Sequence, residues 1–197
     1  MKKIIKCFMF LGFLMCVSGC VSKPGFKGNG DLCGLIVDEN NKPVKEFIVY
    51  CHSGDASPHN IRPVLTNENG LFVFYDVPSG KYLLSGEKNN YLNISKISYS
   101  FNDRSKIICL QTKSFKAALE SADEMIRLGQ TDEAYKLLCN ISCESKSAEE
   151  NLIKAYQFFT ADKERKKKTI ITQLKKYKGE ESAFFNDYAV KLEEAIK

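Results

Sequence analysis

Thr66-Asn67-Glu68-Asn69-Gly70-Leu71-Phe72-Val73-Phe74, followed by Val77-Pro78-Ser79-Gly80-Lys81-Tyr82-Leu83-Leu84, carries the fold class of this 197-residue chain. Asn67 to Gly70 is a run of turn residues, and Gly70 can take a positive φ at no steric cost. Phe72 and Phe74 have the same parity, so in an extended chain they lie on one face. Pro78 fixes φ ahead of the next run, and Gly80 is expected at positive φ in a second tight turn. The two stretches therefore read as strands separated by Pro78-Ser79-Gly80.

Working outward, the same alternation of short apolar runs and turns recurs. The runs are Leu32 to Asp38, Phe47 to Cys51, Pro63 to Thr66, Leu71 to Tyr75, Lys81 to Glu87, Leu92 to Phe101 and Lys106 to Gln111. Glu39-Asn40-Asn41-Lys42-Pro43 is the turn between the first two. Seven short strands at this spacing predict an antiparallel sandwich over residues 31–112, with alternate side chains of two sheets buried against each other.

Gly34-Leu35-Ile36-Val37-Asp38, the turn with Pro43-Val44, and the two opening stretches together resemble the carboxypeptidase regulatory-like domain. That resemblance implies a transthyretin-like seven-strand sandwich. The long segment from His52 to Arg62 and the three cysteines of this region depart from the family pattern.

From Ser114 the period changes to that of a helix. Phe115, Ala118, Ala122, Met125 and Ile126 fall on one face of a helix that Ser114 can cap. Gly129 suits its C-terminal end, and Asp132 and Glu133 open a second helix with acids in the first turn. Gly129 and Ala134 give this pair a resemblance to a tetratricopeptide helical hairpin. Three more helices are expected over Ser147–Thr160, burying Leu152, Tyr156 and Phe159, over Asp162–Tyr177, burying Ile170, Ile171 and Leu174, and over Glu180–Ile196, burying Phe184, Tyr188 and Leu192. Residues 113–197 thus read as two hairpins and a closing helix, a short tetratricopeptide-like array or a plain bundle. The fold class is α+β, in two domains.

The N-terminus carries an address. Lys2, Lys3 and Lys6 precede an apolar run from Cys7 to Val17, the order of a secretory signal. As a helix that run would extend roughly 16 Å, against a hydrocarbon core of about 30 Å, so it reads as an export signal and not a span. It ends in Val17-Ser18-Gly19-Cys20, which resembles the lipobox of bacterial lipoproteins. The resemblance implies residues 1–19 as a signal peptide, cleavage between Gly19 and Cys20, and acyl chains, palmitate among them, on Cys20. Val21, which is not acidic, favours an outer-membrane destination in the cell envelope. Val21 to Gly30, with Pro24, Gly25, Gly28 and Gly30, reads as a flexible tether from the lipidated cysteine.

Loss of residues 1–19 would remove three lysines and no acid, lowering the net charge from +5 to +2. That gives no basis for nucleic-acid binding, which wants a clustered basic face. Lys163-Glu164-Arg165-Lys166-Lys167-Lys168 is a basic run, but from Lys113 onward 16 basic residues face 15 acidic ones. It reads as a solvated helix face.

Little here speaks for catalysis. Cys51-His52-Ser53-Gly54-Asp55-Ala56-Ser57-Pro58-His59 is where nucleophile, imidazole and carboxylate types crowd together. The spacing matches no metal or nucleophile motif, so no catalytic residue, metal or cofactor is assigned. Cys51 shares parity with Phe47 and Val49 and reads as a small buried hydrophobe. Cys139 and Cys143 are four apart, within disulfide range on a helix, and are either bonded or two thiols near a helix end.

These observations predict a non-enzymatic, lipid-anchored envelope protein that binds a protein partner as a scaffold. The alternative is a carbohydrate- or peptidoglycan-binding surface lipoprotein, for which Tyr91 and Tyr99 are the expected exposed aromatics. The third reading is an enzyme using His52, Asp55 and His59.

Overall fold

The computed structural model describes residues 25–54, 61–161 and 167–194. The signal segment, Gly19, Cys20, Asp55, His59 and Lys163 to Lys166 lie outside the described residues. Nine strands and five helices are described, an α+β chain. The strands are β1 (Asn29–Val37), β2 (Ile48–Ser53), β3 (Val64–Leu65), β4 (Leu71–Pro78), β5 (Gly80–Glu87), β6 (Tyr91–Leu92), β7 (Ile94–Phe101), β8 (Ile108–Gln111) and β9 (Ile141–Ser142). The helices are α1 (Phe115–Arg127), α2 (Thr131–Cys139), α3 (Ala148–Ala161), α4 (Lys167–Lys176) and α5 (Ser182–Glu194).

Seven of these strands form two sheets, one ordered β4-β1-β8 and the other β3-β2-β5-β7. One pairing departs from the antiparallel expectation: β8 runs parallel to β1, with Gly34 opposite Ile108. The run read as one strand from Leu92 to Phe101 is also divided. Its first residues form β6, which leaves the sandwich to pair with β9.

Local chemistry accounts for the turns. Asn67 Oδ1 accepts from the backbone N–H of Asn69 (2.9 Å) and Leu71 (3.0 Å), closing the turn that leads into β4. Gly70 sits at φ +70°, and a Cβ there would stand 2.5 Å from the Ile36 carbonyl oxygen. Asp38 repeats the device, accepting from Asn40 (2.8 Å) and Lys42 (2.9 Å). Gly80 is not at positive φ, contrary to expectation. It opens β5 in extended conformation, because the chain at Pro78-Ser79 crosses from one sheet to the other and does not fold back into a hairpin.

Between the sheets Leu32, Ile36, Phe47, Val49, Phe72, Phe74, Leu84 and Phe101 are buried. Each such burial is worth about 1.5–3 kcal/mol before conformational entropy is counted. Thr66, 3% exposed, is the polar residue of this core. Its hydroxyl accepts from Phe47 N–H (2.9 Å) and donates to the Val44 carbonyl (2.6 Å), so it is buried without loss.

Part of the stretch read as a tether is seated on the sandwich. Phe26 donates its backbone N–H to Asn102 O at 3.1 Å, its ring stands edge-on 4.9 Å from that of Phe101, and the Arg104 guanidinium lies over it at 4.6 Å. An aromatic side chain with that much apolar surface docks instead of remaining solvated.

A second core is built by the helices. Ser114 caps α1, and Gly129 at φ +78° ends it, with Gly129 N–H bonded to Ile126 O and Gln130 N–H to Met125 O. That pair of bonds is the Schellman closure. Ala118, Ala122, Ala134, Leu138, Leu152, Tyr156, Ile170, Ile171 and Leu174 are buried; the side chains of Phe159 and Leu192 lie outside the described part. In α5 the buried ring is Phe185, 1% exposed, while Phe184 is only partly covered.

Consecutive helices pack on one another, and α1 and α5 also touch through side chains. Phe115 of α1 stands 6.0 Å from Phe185 of α5, and Lys116 lies 3.6 Å from Glu181 and 4.1 Å above the Phe184 ring. Among the described residues no helix is long and apolar enough to cross a membrane.

Candidate functional site

Helix α1 buries Phe115, Ala118, Leu119 and Ala122 and turns another face outward. Ala117, Glu120, Ser121, Glu124, Met125 and Leu128 follow one another at helical spacing along that face. With the β1–β2 turn, they line an open groove of about 550 Å³. Ala117, Met125 and Leu128 give it apolar surface, Leu128 being 65% exposed. Its lining also carries Glu39, Glu120 and Glu124.

The groove has a rigid end. Glu39 Oε2 accepts from Ser114 N–H at 2.8 Å, and its Oε1 accepts from the Ser114 hydroxyl at 2.7 Å. Partial burial disfavours the Glu39 charge, but the two hydrogen bonds from Ser114 outweigh it, so the carboxyl titrates below its ordinary value. Lys113, the groove's basic residue, donates to Ser121 Oγ at 2.8 Å. At the far end Arg127 reaches Glu124 at 3.7 Å but lies much closer to Asp123, at 2.6 Å. The groove therefore presents apolar surface among predominantly negative groups.

Of the Cys51–His59 segment singled out in the sequence, residues 51–54 are described. His52 is an exposed residue of β2 whose ring stacks on Tyr50, centroids 6.4 Å apart, while Asp55 and His59 lie outside the described residues. Cys51 is buried in the sandwich, and burial pushes its thiol up to about 12. Among the described residues no group of three or more His, Cys, Asp or Glu side chains is placed to hold a metal ion.

Cys139 and Cys143 are free thiols. Helix α2 ends at Cys139 and the chain passes into β9, so the helical spacing that would bring them into bonding range is absent. Burial pushes the Cys143 thiol up to about 11, with Glu149 and Glu150 adding to it. Of the basic run, Lys167 and Lys168 open α4, and Lys168 is exposed.

Tyr91 and Tyr99 are not open platforms. The Tyr91 ring is half-buried against the sandwich core, 6.5 Å from Phe47, because β6 is drawn over the sandwich edge toward β9. Tyr99 is half-buried as well, with its hydroxyl enclosed and the Lys106 ammonium 5.8 Å from its ring. The exposed tyrosine of the sandwich is Tyr75, at 76%.

No protein-family model matches the sequence, and no curated protein matches it. Solved structures similar to the chain include a streptococcal ancillary pilin, at TM-score 0.38 and 13% identity, covering 45% of this chain and 30% of that one. The minor pilin of Streptococcus agalactiae has TM-score 0.37 and 13% identity, and covers 45% of each chain. A 5-hydroxyisourate hydrolase from Klebsiella pneumoniae has TM-score 0.34 and 14% identity, and covers 47% of this chain and 94% of that one. The chain thus spans less than half the length of either pilin. At scores this low the likenesses carry no argument about what the chain does.

Proposed function

We propose that this chain is a non-enzymatic, lipid-anchored cell-envelope protein whose helical half binds a basic segment of a protein partner. The observation that carries the reading is the groove along α1, lined by Met125 and Leu128 together with Glu39, Glu120 and Glu124. Apolar surface among acidic groups is complementary to an amphipathic peptide with lysine or arginine beside a large apolar side chain. The sandwich, read as a transthyretin-like, carboxypeptidase regulatory-like domain, serves as the rigid mount of α1 through the Glu39–Ser114 bonds. The α1–α2 pair, bent at Gly129 over a buried Ala134, supports a tetratricopeptide-like reading of that hairpin.

The anchor is Cys20, by the basic start, apolar run and Val17-Ser18-Gly19-Cys20. Cys20 precedes the docked Phe26 by six residues, which sets an upper bound of about 21 Å on their separation. The groove would then work close to an outer-membrane surface, where confinement lets weak contacts suffice.

Two measurements test the reading. Growth with an azide-bearing palmitate analogue labels the wild-type protein and not Cys20→Ser. A photo-cross-linking residue at Leu128 captures a basic, amphipathic segment, and Glu120→Lys with Glu124→Lys abolishes the capture while the circular dichroism stays unchanged. Capture that survives the double charge reversal removes the groove from the proposal.

A further inference from the structure

We infer that a second site, on the sandwich, binds a neutral pyranose glycan in a shallow cleft of about 540 Å³ at the tether end of the β1–β4 pair. It goes beyond the protein-binding role and uses none of the α1 residues.

The cleft comes from a bulge in β4 where it pairs with β1. The register shifts between Gly30 and Leu32, and β4 has the extra residue, Tyr75 and Asp76 together facing the single Asp31. Opposite it, Asp76 adopts φ +53° within β4, and its backbone N–H donates to Asp31 Oδ1 at 3.2 Å. In a regular strand Tyr75 and Asp76 would point to opposite faces. Here the alternation breaks, and both are exposed. Bulges re-aim side chains in this way.

The groups gathered there suit a sugar. Tyr75 is 76% exposed and offers an aromatic face to the C–H side of a pyranose. Asp31 and Asp76 supply carboxylate oxygens as acceptors for sugar hydroxyls, in charge-assisted bonds. Arg104 supplies donors from the other wall. Its guanidinium is held there by donation to the Asn29 carbonyl and by its place over Phe26, 4.6 Å from the ring centroid. A planar fork fixed at two points presents its remaining N–H groups at little entropic cost. Two carboxylates against one guanidinium leave the cleft negative, which favours a neutral glycan over a uronate or phosphorylated one.

The test is a titration of the full purified chain with cellotriose, chitotriose and maltotriose, with trigalacturonate as the acidic counterpart, read by calorimetry and by saturation-transfer NMR. Expected is saturable binding of at least one neutral trisaccharide. Tyr75→Ala and Asp76→Asn each weaken it tenfold or more, and Tyr75→Phe retains it. Glu120→Lys with Glu124→Lys leaves it unchanged, which separates this site from the α1 groove. Absence of binding by all three neutral sugars overturns the inference. So does binding that the Tyr75 and Asp76 variants leave intact, equal affinity for trigalacturonate, or calcium alone shifting the resonances of Asp31 and Asp76 in a sugar-free titration.

Discussion

The carboxylate of Glu39 holds Ser114 by both its backbone N–H, at 2.8 Å, and its hydroxyl, at 2.7 Å, across 75 positions of sequence. Ser114 in turn is the N-cap of α1, its hydroxyl accepting from Ala117 N–H at 3.4 Å. One carboxylate of the sandwich's first turn therefore sets the angle at which the helical half begins. The β6–β9 pair adds a second joint, reinforced where Asn140 Nδ2 donates to Asn93 O at 3.0 Å and the Ser142 hydroxyl to Asn93 Oδ1 at 2.8 Å.

Glu39→Ala should uncouple the two cores. Because the carboxyl is only partly buried, solvent discounts the loss to no more than about 1 kcal/mol. The clearer sign is urea unfolding that separates into two transitions. Since the folded-state pKa of Glu39 lies below its unfolded value, its contribution is complete above the unfolded value of about 4.3 and is lost as pH falls through the folded value. The wild-type advantage over Glu39→Ala should therefore shrink on acidification, in urea melts repeated between neutral pH and the acid range.

Gly34 lies directly opposite Phe72 on the neighbouring strand, and a Cβ there would run into the Phe72 ring. Gly34→Ala should cost about 1–3 kcal/mol through overpacking. Shortening the ring in Gly34→Ala/Phe72→Leu should recover part of that loss, and the denaturation midpoints of the single and double variants read the coupling.

Cys51 is 3% exposed, and burial holds its thiol near 12, whereas Cys109 and Cys139 are exposed. In the native protein at pH 8, iodoacetamide should modify Cys109 and Cys139 first and leave Cys51 untouched until urea is added. Peptide mass mapping gives the order, and recovery of a Cys139–Cys143 disulfide from native protein would contradict the two free thiols.

Contact between α1 and α5 rests on the cluster of Phe115, Tyr177 and Phe185, with Phe185 4.8 Å from the Tyr177 ring and 6.0 Å from that of Phe115. Phe185→Ala should cost about 3–5 kcal/mol, while Phe184→Ala, which removes a half-covered ring under Lys116, should cost under about 2 kcal/mol. Thermal melts compare the two. Equal losses would mean that the last helix is not seated on Phe185.

Gly129→Ala isolates a purely conformational term. Nothing lies within 4 Å of the Cβ it would gain, yet φ is +78°. A loss of about 1 kcal/mol is expected in urea melts from the left-handed backbone alone.

What was legible in the sequence is what forms within a few residues. Asn67 and Asp38 close turns on their own neighbours, Ser114 starts a helix and Gly129 ends it, and Cys51 follows the parity of Phe47 and Val49 into the core. Sequence alone favours Phe184 over Phe185 because adjacent aromatics satisfy the same helical period, and the rings of Tyr177 and Phe115 choose between them. Tyr91 is half-covered because β6 leaves the sandwich for β9, which strand parity cannot foresee, while Tyr99 stays in β7 beside β5 and packs against the sandwich core. Tyr75 was passed over because nothing local announces that Asp76 adopts a left-handed backbone; that bend is held by Asp31, on another strand.

By itself, then, the sequence determined the alternation that makes a sandwich, the change of period at Ser114 and the caps. These follow from backbone propensity and from side chains bonding to their own turn, which need no distant partner. Tertiary structure alone decided the parallel pairing of β8 with β1, the β6–β9 joint, the contact of α1 with α5, and the assembly of the α1 groove and the Tyr75 cleft. Each of these joins residues tens of positions apart, where many pairings satisfy local preference equally and packing in three dimensions selects one.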